Sequence, residues 1–239
     1  MVHLNTKIIH GNIFSSECQT LVNTVNCEGV MGAGIALEFK LRLPEMFEQY
    51  VAHCANGRIE IGKSWVYRPP PSSYERRWVL NFPTKFRWKN PSKVEYLEVG
   101  LANFVATYED QGITSAAFPL LGATHGRLGE NVVSRLMIDR LDACDIPIEI
   151  YSYDPTASDD RFYQLKTALA SQTDAELADG MGLSISDVAR IRDEIKNNPA
   201  VRSIMRLSSI KGIGQRTIKK LFHYTAASRD VAELQLQLV

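Results

Sequence analysis

The chain has 239 residues, of which 45% are hydrophobic, and its 27 basic and 27 acidic side chains cancel to a formal net charge of zero. That is enough for one large core or two unequal ones, and it argues against a uniformly basic or acidic binding protein. Cys18, Cys27, Cys54 and Cys144 show no CxxC pairing and no partnered histidine spacing, so neither a disulfide framework nor a zinc site is suggested. The start, MVHLNTKIIH, lacks the organisation of a signal peptide, and no apolar run approaches the roughly 20 residues that span a bilayer. A cytoplasmic location with no membrane partner is therefore expected.

In chain order, Lys7 to Ile9 reads as a strand, followed by a polar turn and short helix at Ser15 to Gln19 and a strand from Thr20 to Val25. Ile35, Ala36, Phe39 and Leu43 recur at helical spacing, and Pro44 ends that helix before a second from Glu45 to Cys54. Ser64 to Tyr67 and Arg77 to Phe82 read as paired strands around Pro69-Pro70-Pro71. Val94 to Tyr108 is an amphipathic helix opened by Pro91-Ser92. A strand from Ile113 to Pro119, a helix from Glu130 to Leu141 and a strand from Ile146 to Tyr153 complete an alternation that predicts a mostly parallel or mixed sheet between helices. After Asp154 to Ser158 the strand signals vanish. Candidate helices follow at Arg161 to Ala170, Ser184 to Lys196, Val201 to Leu207, Gln215 to His223 and Ala227 to Leu238.

In open α/β sheets ligands bind beyond the carboxyl ends of the strands, and three loops share that position. The first follows Asn23 and Asn26, where Gly29, Gly32 and Gly34 let the main chain come close to a ligand and the unpaired N–H groups at Ala33 to Ala36 point at it. A phosphate or pyrophosphate is the natural guest. The third, Leu120 to Gly129, repeats the logic: Gly122 and Gly126 let the backbone wrap a ligand, and Thr124 and His125 supply hydrogen bonds. Two such loops suggest a diphosphate held between them. The middle loop, NFPTKFRWKN, carries Lys85 just after a strand. Apolar and cationic neighbours depress a lysine pKa, so this amine reads either as a nucleophile toward a masked aldehyde or as a proton donor. Taken alone, it also reads as a surface lysine.

Three separated segments, VNTVNCEGVMGAGIALEFK, YERRWVLNFPTKFRWKNPSK and AAFPLLG, resemble in order and spacing the macrodomains of the DarG branch, antitoxins that remove ADP-ribose from DNA. They resemble more distantly the terminal ADP-ribose protein glycohydrolase. The resemblance covers roughly Leu4 to Pro155. It implies a three-layer α/β/α macrodomain fold over 1–155 that binds ADP-ribose as ligand or product and hydrolyses an ADP-ribosyl bond to a nucleobase. No cofactor or metal is implied.

On matching positions the resemblance makes Asn26 a ligand of the distal ribose. Gly32, Ala33, Gly34 and Ile35 become one wall of the diphosphate site, and Gly122, Ala123, Thr124, His125 and Gly126 the other. Ile13 falls near the adenine, Tyr153 at an adenine-stacking position, and Lys85 on the catalytic lysine of the branch. Departures are visible. Gly126 stands where protein-directed relatives carry an aspartate. Ala123-Thr124 makes the third loop bulkier than the family pattern, and His125 becomes a candidate proton donor. Asn12 replaces the aspartate many macrodomains place near adenine, and Glu28 could orient water.

The tail, 156–239, is expected to be an all-α domain. Between Arg202 and Ser228 it carries Arg202, Arg206, Lys211, Arg216, Lys219 and Lys220 with no acidic residue, which favours a polyanion. Residues 207–221, LSSIKGIGQRTIKKL, are similar to the helix-hairpin-helix motif of DNA repair proteins. In that reading Gly212 and Gly214 let backbone N–H groups meet phosphates, and Lys211, Arg216, Lys219 and Lys220 add charge, which positions DNA without reading sequence. The combined expectation is a glycohydrolase acting on ADP-ribosylated DNA bases, in an antitoxin or DNA-repair role. The partners would be ADP-ribosylated DNA and a cognate ADP-ribosyltransferase toxin. A non-catalytic ADP-ribose reader, a glycohydrolase acting on ADP-ribosylated protein and an antitoxin that works by binding protein stand as alternatives.

Overall fold

The computed structural model describes residues 5–71, 73, 75–123, 126–157 and 159–236, and side chains up to residue 227. It divides into two compact units, Met1–Tyr153 and Asp154–Val239. Among the described residues no helix is long and apolar enough to cross a membrane.

The first unit holds a six-stranded sheet in the order β1-β6-β5-β2-β4-β3. Its strands are β1 (Thr6–Gly11), β2 (Thr20–Asn26), β3 (Trp65–Tyr67), β4 (Trp78–Lys85), β5 (Ala116–Pro119) and β6 (Ile148–Tyr153). All neighbours run parallel except β3, which pairs antiparallel with β4 at one edge. The helices are α1 (Gly34–Arg42), α2 (Pro44–Ala55), α3 (Val94–Thr107) and α4 (Glu130–Leu141). Successive strand residues point to opposite faces, so adjacent apolar residues serve two cores. Val22, Leu80, Phe82 and Ile150 pack with Leu97, Leu101 and Phe104 of α3 and Met137 of α4. Leu21, Val25 and Val79 pack on the other face with Phe39, Met46 and Tyr50 of α1 and α2. Burial on both faces is why the parallel strands read as near-continuous apolar runs. A buried polar pair crosses the middle of the sheet, Asn23 Nδ2 donating to Asn81 Oδ1 at 2.9 Å.

Differences from the sequence reading are local. The helix expected at Ser15 to Gln19 is a single 3-10 turn at Ile13–Ser15, because the Asn12 carboxamide caps it one step earlier by accepting from Phe14 N–H. Strand β4 continues through Pro83 to Lys85 rather than stopping at Phe82.

The second unit contains α5 (Asp160–Ser171), α6 (Asp174–Met181), α7 (Ile185–Asn197) and α8 (Gln215–Leu236). Helix α6 has no counterpart among the expected helices, although it opens on a reciprocal Thr173/Glu176 capping box and closes on Gly182 at φ 64°. Arg192 of α7 ties this corner together, pairing with Asp174 at 2.7 Å and donating to the Leu169 and Gln172 carbonyls. The helix expected at Val201 to Leu207 is a 3-10 turn, Ile204–Ser209, capped by Ser203. Residues expected as two helices form the single α8: neither glycine nor proline interrupts Tyr224-Thr225-Ala226, and the Thr225 hydroxyl folds back onto the Leu221 carbonyl at 2.9 Å.

Candidate functional site

The parallel strands deliver Gly11, Asn26, Lys85, Pro119 and Tyr153 to one edge of the sheet as their last residues. Three loops leave from that edge. The first begins at Asn26, whose carboxamide organises the turn: Oδ1 accepts from the N–H groups of Glu28 (3.0 Å) and Val30 (3.3 Å), and Nδ2 donates to the Val30 carbonyl at 2.6 Å. The second amide hydrogen of Asn26 has no acceptor among the described residues. Tyr50 of α2, fully buried, clamps the main chain here by donating to the Asn26 carbonyl at 2.5 Å and accepting from its N–H at 3.3 Å. Desolvation pushes the Tyr50 phenol up, so it acts only as a neutral hydrogen-bonding group. Gly29 and Gly34 adopt φ 79° and 57°, conformations that a Cβ would strain. The loop ends at Ala33, which offers α1 no side-chain cap. Gly32, Ala33 and Gly34 are exposed. The first N–H groups of α1 are thus those that a helix start leaves without intrahelical partners.

Lys85 closes β4 directly across from Asn26, where a bulge between Val25 and Asn26 shifts the register. It is half-buried, and burial, followed by the positive charge of Arg127, holds its ammonium below the usual lysine range. The first and middle loops are stitched together by Cys27 N–H donating to the Phe86 carbonyl at 3.1 Å and Trp88 N–H donating to the Glu28 carboxylate at 2.9 Å. Glu28 is thus an anchor for the middle loop. Cys27, beside Lys85, is pushed up to about 11 by burial, which makes its thiol inert as a nucleophile.

The third loop is tightly closed. Leu128 N–H donates to the Gly122 carbonyl at 3.1 Å, and Ser92 N–H to the Gly126 carbonyl at 3.0 Å. A Cβ at Gly126 would stand 2.3 Å from the Gly122 carbonyl oxygen and 2.5 Å from Ser92 Oγ. An aspartate therefore does not fit where protein-directed relatives carry one. Ala123 N–H turns back onto the Leu120 carbonyl at 3.4 Å. Thr124 and His125 lie outside the described residues. Arg127, at φ 62°, is the functional candidate that sequence reasoning missed; its only signal is a cation inside a glycine-rich loop. Ile13 is buried against the core, Ile35 is half-buried in the first turn of α1, and Tyr153 is 64% exposed beside Gly11. Among the described residues no cluster of three or more His, Cys, Asp or Glu could hold a metal.

In the second unit the segment before α8 makes a tight turn, with Ile213 N–H donating to the Ile210 carbonyl at 3.0 Å and Gly212 at φ 90°. Arg190 of α7 braces it by donating to the Lys211 carbonyl at 3.0 Å. Ile213, Ile218 and Leu221 are buried, while Lys211, Gly212, Gly214, Arg216 and Lys219 are exposed. Lys220 is differently employed: its ammonium donates to the Gly182 carbonyl at the end of α6.

The Macro domain family profile matches residues 22–137. The macrodomain of Thermus aquaticus DarG superposes with a TM-score of 0.57 at 37% identity, covering 63% of this chain and 98% of that one. The chain belongs to the macrodomain family. As a macrodomain it is also similar to Thermosipho africanus DarTG in complex with ADP-ribose, with a TM-score of 0.60, 35% identity, and coverage of 64% of this chain and 43% of that one. The DNA ADP-ribosyl glycohydrolase of Thermus aquaticus is 38% identical over 149 residues, 62% of this chain and 41% of its own length. The match thus spans about two-fifths of that curated relative.

Proposed function

We propose that this macrodomain is a cytoplasmic DNA ADP-ribosyl glycohydrolase, and the observation that carries the reading is the half-buried Lys85 amine on the same rung as Asn26, between two glycine loops. The N–H groups of Gly34 to Ala36 and the loop from Gly122 to Gly126 take the diphosphate, Asn26 the distal ribose, and the faces near Ile13 and Tyr153 the adenine. That places the anomeric carbon toward Lys85. Burial, followed by Arg127, lowers the Lys85 pKa, and in this reading its amine attacks that carbon as the bond to the base breaks. The base leaves with the electron pair and takes up a proton, and water then displaces the amine to give ADP-ribose. Water is the only co-reactant of this cycle, since its attack releases the amine unchanged, and the reading calls for no cofactor.

The Thermus aquaticus relative, 38% identical over 149 residues, is a DNA ADP-ribosyl glycohydrolase. Lys211, Arg216 and Lys219, with the main chain of Gly212 and Gly214, hold the DNA backbone, while Lys220 braces the helical unit. The reaction that supplies the substrate is ADP-ribosyl transfer to a DNA base, so the implied partner is an ADP-ribosyltransferase toxin. Mass spectrometry of oligonucleotides carrying ADP-ribose on thymine or guanine tests the reading: release of free ADP-ribose supports it. Tight binding without release leaves a reader module, and release only from modified protein redirects it.

A further inference from the structure

The residues from Phe86 to Pro91 are all exposed and have no part in the proposed ADP-ribose cradle. Phe86 and Trp88 are 55% and 49% exposed, among the few large apolar side chains of the first unit left in solvent. Their main chain is nonetheless fixed: the Phe86 carbonyl accepts from Cys27, the Trp88 N–H donates to Glu28, and Asn90 N–H closes a turn onto the Arg87 carbonyl at 3.1 Å. Two rings held out on an anchored turn are presented, not frayed. Charge accompanies them. From Lys85 to Lys93 the chain carries Lys85, Arg87, Lys89 and Lys93 and no acidic residue, and the carboxylate of Glu28, from the first loop, accepts from Trp88 N–H. Lys89 Nζ lies 5.2 Å from the Trp88 ring centroid.

We infer that Phe86 and Trp88 form a stacking platform for bases of the DNA strand that flank the modified nucleotide, with Arg87 and Lys89 meeting the adjoining phosphates. Interleaved aromatics and cations are what a nucleic-acid strand demands, since every base offers a π-face and every step a charge. The platform begins one residue after the amine proposed to act at the anomeric carbon, so a base bound in the site has its neighbours within reach of these rings. The inference rests on the glycohydrolase reading and makes Phe86 and Trp88 specificity-determining: they recognise the polymer around the lesion.

Turnover of full-length wild type, Phe86→Ala and Trp88→Ala is compared on an ADP-ribosylated oligonucleotide and on the ADP-ribosylated mononucleoside. Stacking is worth enough per base that each variant should raise the oligonucleotide KM about tenfold, leave kcat and the mononucleoside reaction unchanged, and be largely rescued by Trp88→Phe at the second position. Equal losses on both substrates, or no loss on the oligonucleotide, overturn the platform. If wild type releases ADP-ribose from neither substrate, the glycohydrolase reading fails. The platform is then judged by fluorescence anisotropy of an unmodified single-stranded oligonucleotide. In a full-length background carrying Lys211→Ala, Arg216→Ala and Lys219→Ala, Trp88→Ala must weaken binding without changing its salt dependence, and unchanged affinity overturns the proposal.

Discussion

Asn26 and Lys85 occupy the same rung of the ladder between β2 and β4, and a bulge after Val25 brings them into register. Without that bulge, Asn26 would pair one residue earlier, at Thr84. Two roles that the sequence keeps 59 positions apart, shaping the first loop and supplying the amine, are fixed to each other by parallel main-chain pairing.

Arg127 is one of the two influences that depress the Lys85 pKa. If the neutral amine is the reacting form, activity rises as pH climbs through that pKa. Arg127→Gln removes a cation, lets the pKa return upward and moves the acid limb of the kcat profile to higher pH; Arg127→Lys leaves it in place. A pH–rate profile of the three proteins checks this.

Lys85 also has a stability consequence of definite sign. Its folded-state pKa lies below the unfolded value, so charging it is less favourable in the folded protein. The penalty is fully present below the folded pKa and disappears as pH rises past the unfolded one. Lys85→Met should therefore abolish turnover while leaving the neutral-pH melting temperature unchanged or slightly raised, measured by calorimetry.

Tyr50→Phe removes one hydroxyl that serves both the N–H and the carbonyl of Asn26 in a fully buried setting. Leaving such groups unsatisfied costs about 1–3 kcal/mol, or about 2–4 °C of melting temperature per kcal/mol for a domain of this size. ADP-ribose affinity should fall with it, because the loop that Asn26 organises opens the cradle. Calorimetric unfolding and titration on the same variant check both.

Gly126→Asp restores the side chain of protein-directed relatives but places its Cβ on the Gly122 carbonyl. ADP-ribose binding should be lost with most of the melting temperature retained, since the clash is confined to a loop. Gly32→Ala is the control for folding: its nearest neighbour to a new Cβ is 4.0 Å away, and its melting temperature should match wild type.

In the helical unit, replacing Lys211, Arg216 and Lys219 with alanine should weaken DNA binding and reduce the salt slope by up to about 0.9 for each phosphate left without its cation. Lys220→Ala should do something else. It frees the Gly182 carbonyl, so the unfolding temperature of the helical unit falls while the salt slope stays. Binding titrations at several salt concentrations separate the two.

The sequence was most legible where burial is two-sided. Val22, Val25, Val79 and Leu80 announce parallel strands because no face of those strands meets water, and α4 starts and ends at the expected Glu130 and Leu141. It was least legible where a short-range contact overrules a pattern. Helix α6 is eight residues with a glycine inside it, and its buried face of Leu177, Ala178 and Met181 spans too few turns to stand out as a helical repeat, so its capping box is the stronger mark. Glycines and the lysine that ends β4 pointed to the candidate site from the sequence, since backbone conformation and chemistry are both local. The pairing of Glu28 with Trp88, the clamp of Tyr50 on Asn26 and the influence of Arg127 on Lys85 join residues far apart in the chain, and only the assembled sheet edge brings them together.

The most direct test of the central claim is single-turnover release of ADP-ribose from an ADP-ribosylated DNA oligonucleotide by wild type and Lys85→Ala, with ADP-ribose affinity measured on both. The account predicts release by wild type, a rate reduced at least about a hundredfold in Lys85→Ala, and affinity within a few-fold of wild type. Release by Lys85→Ala at the wild-type rate would contradict it.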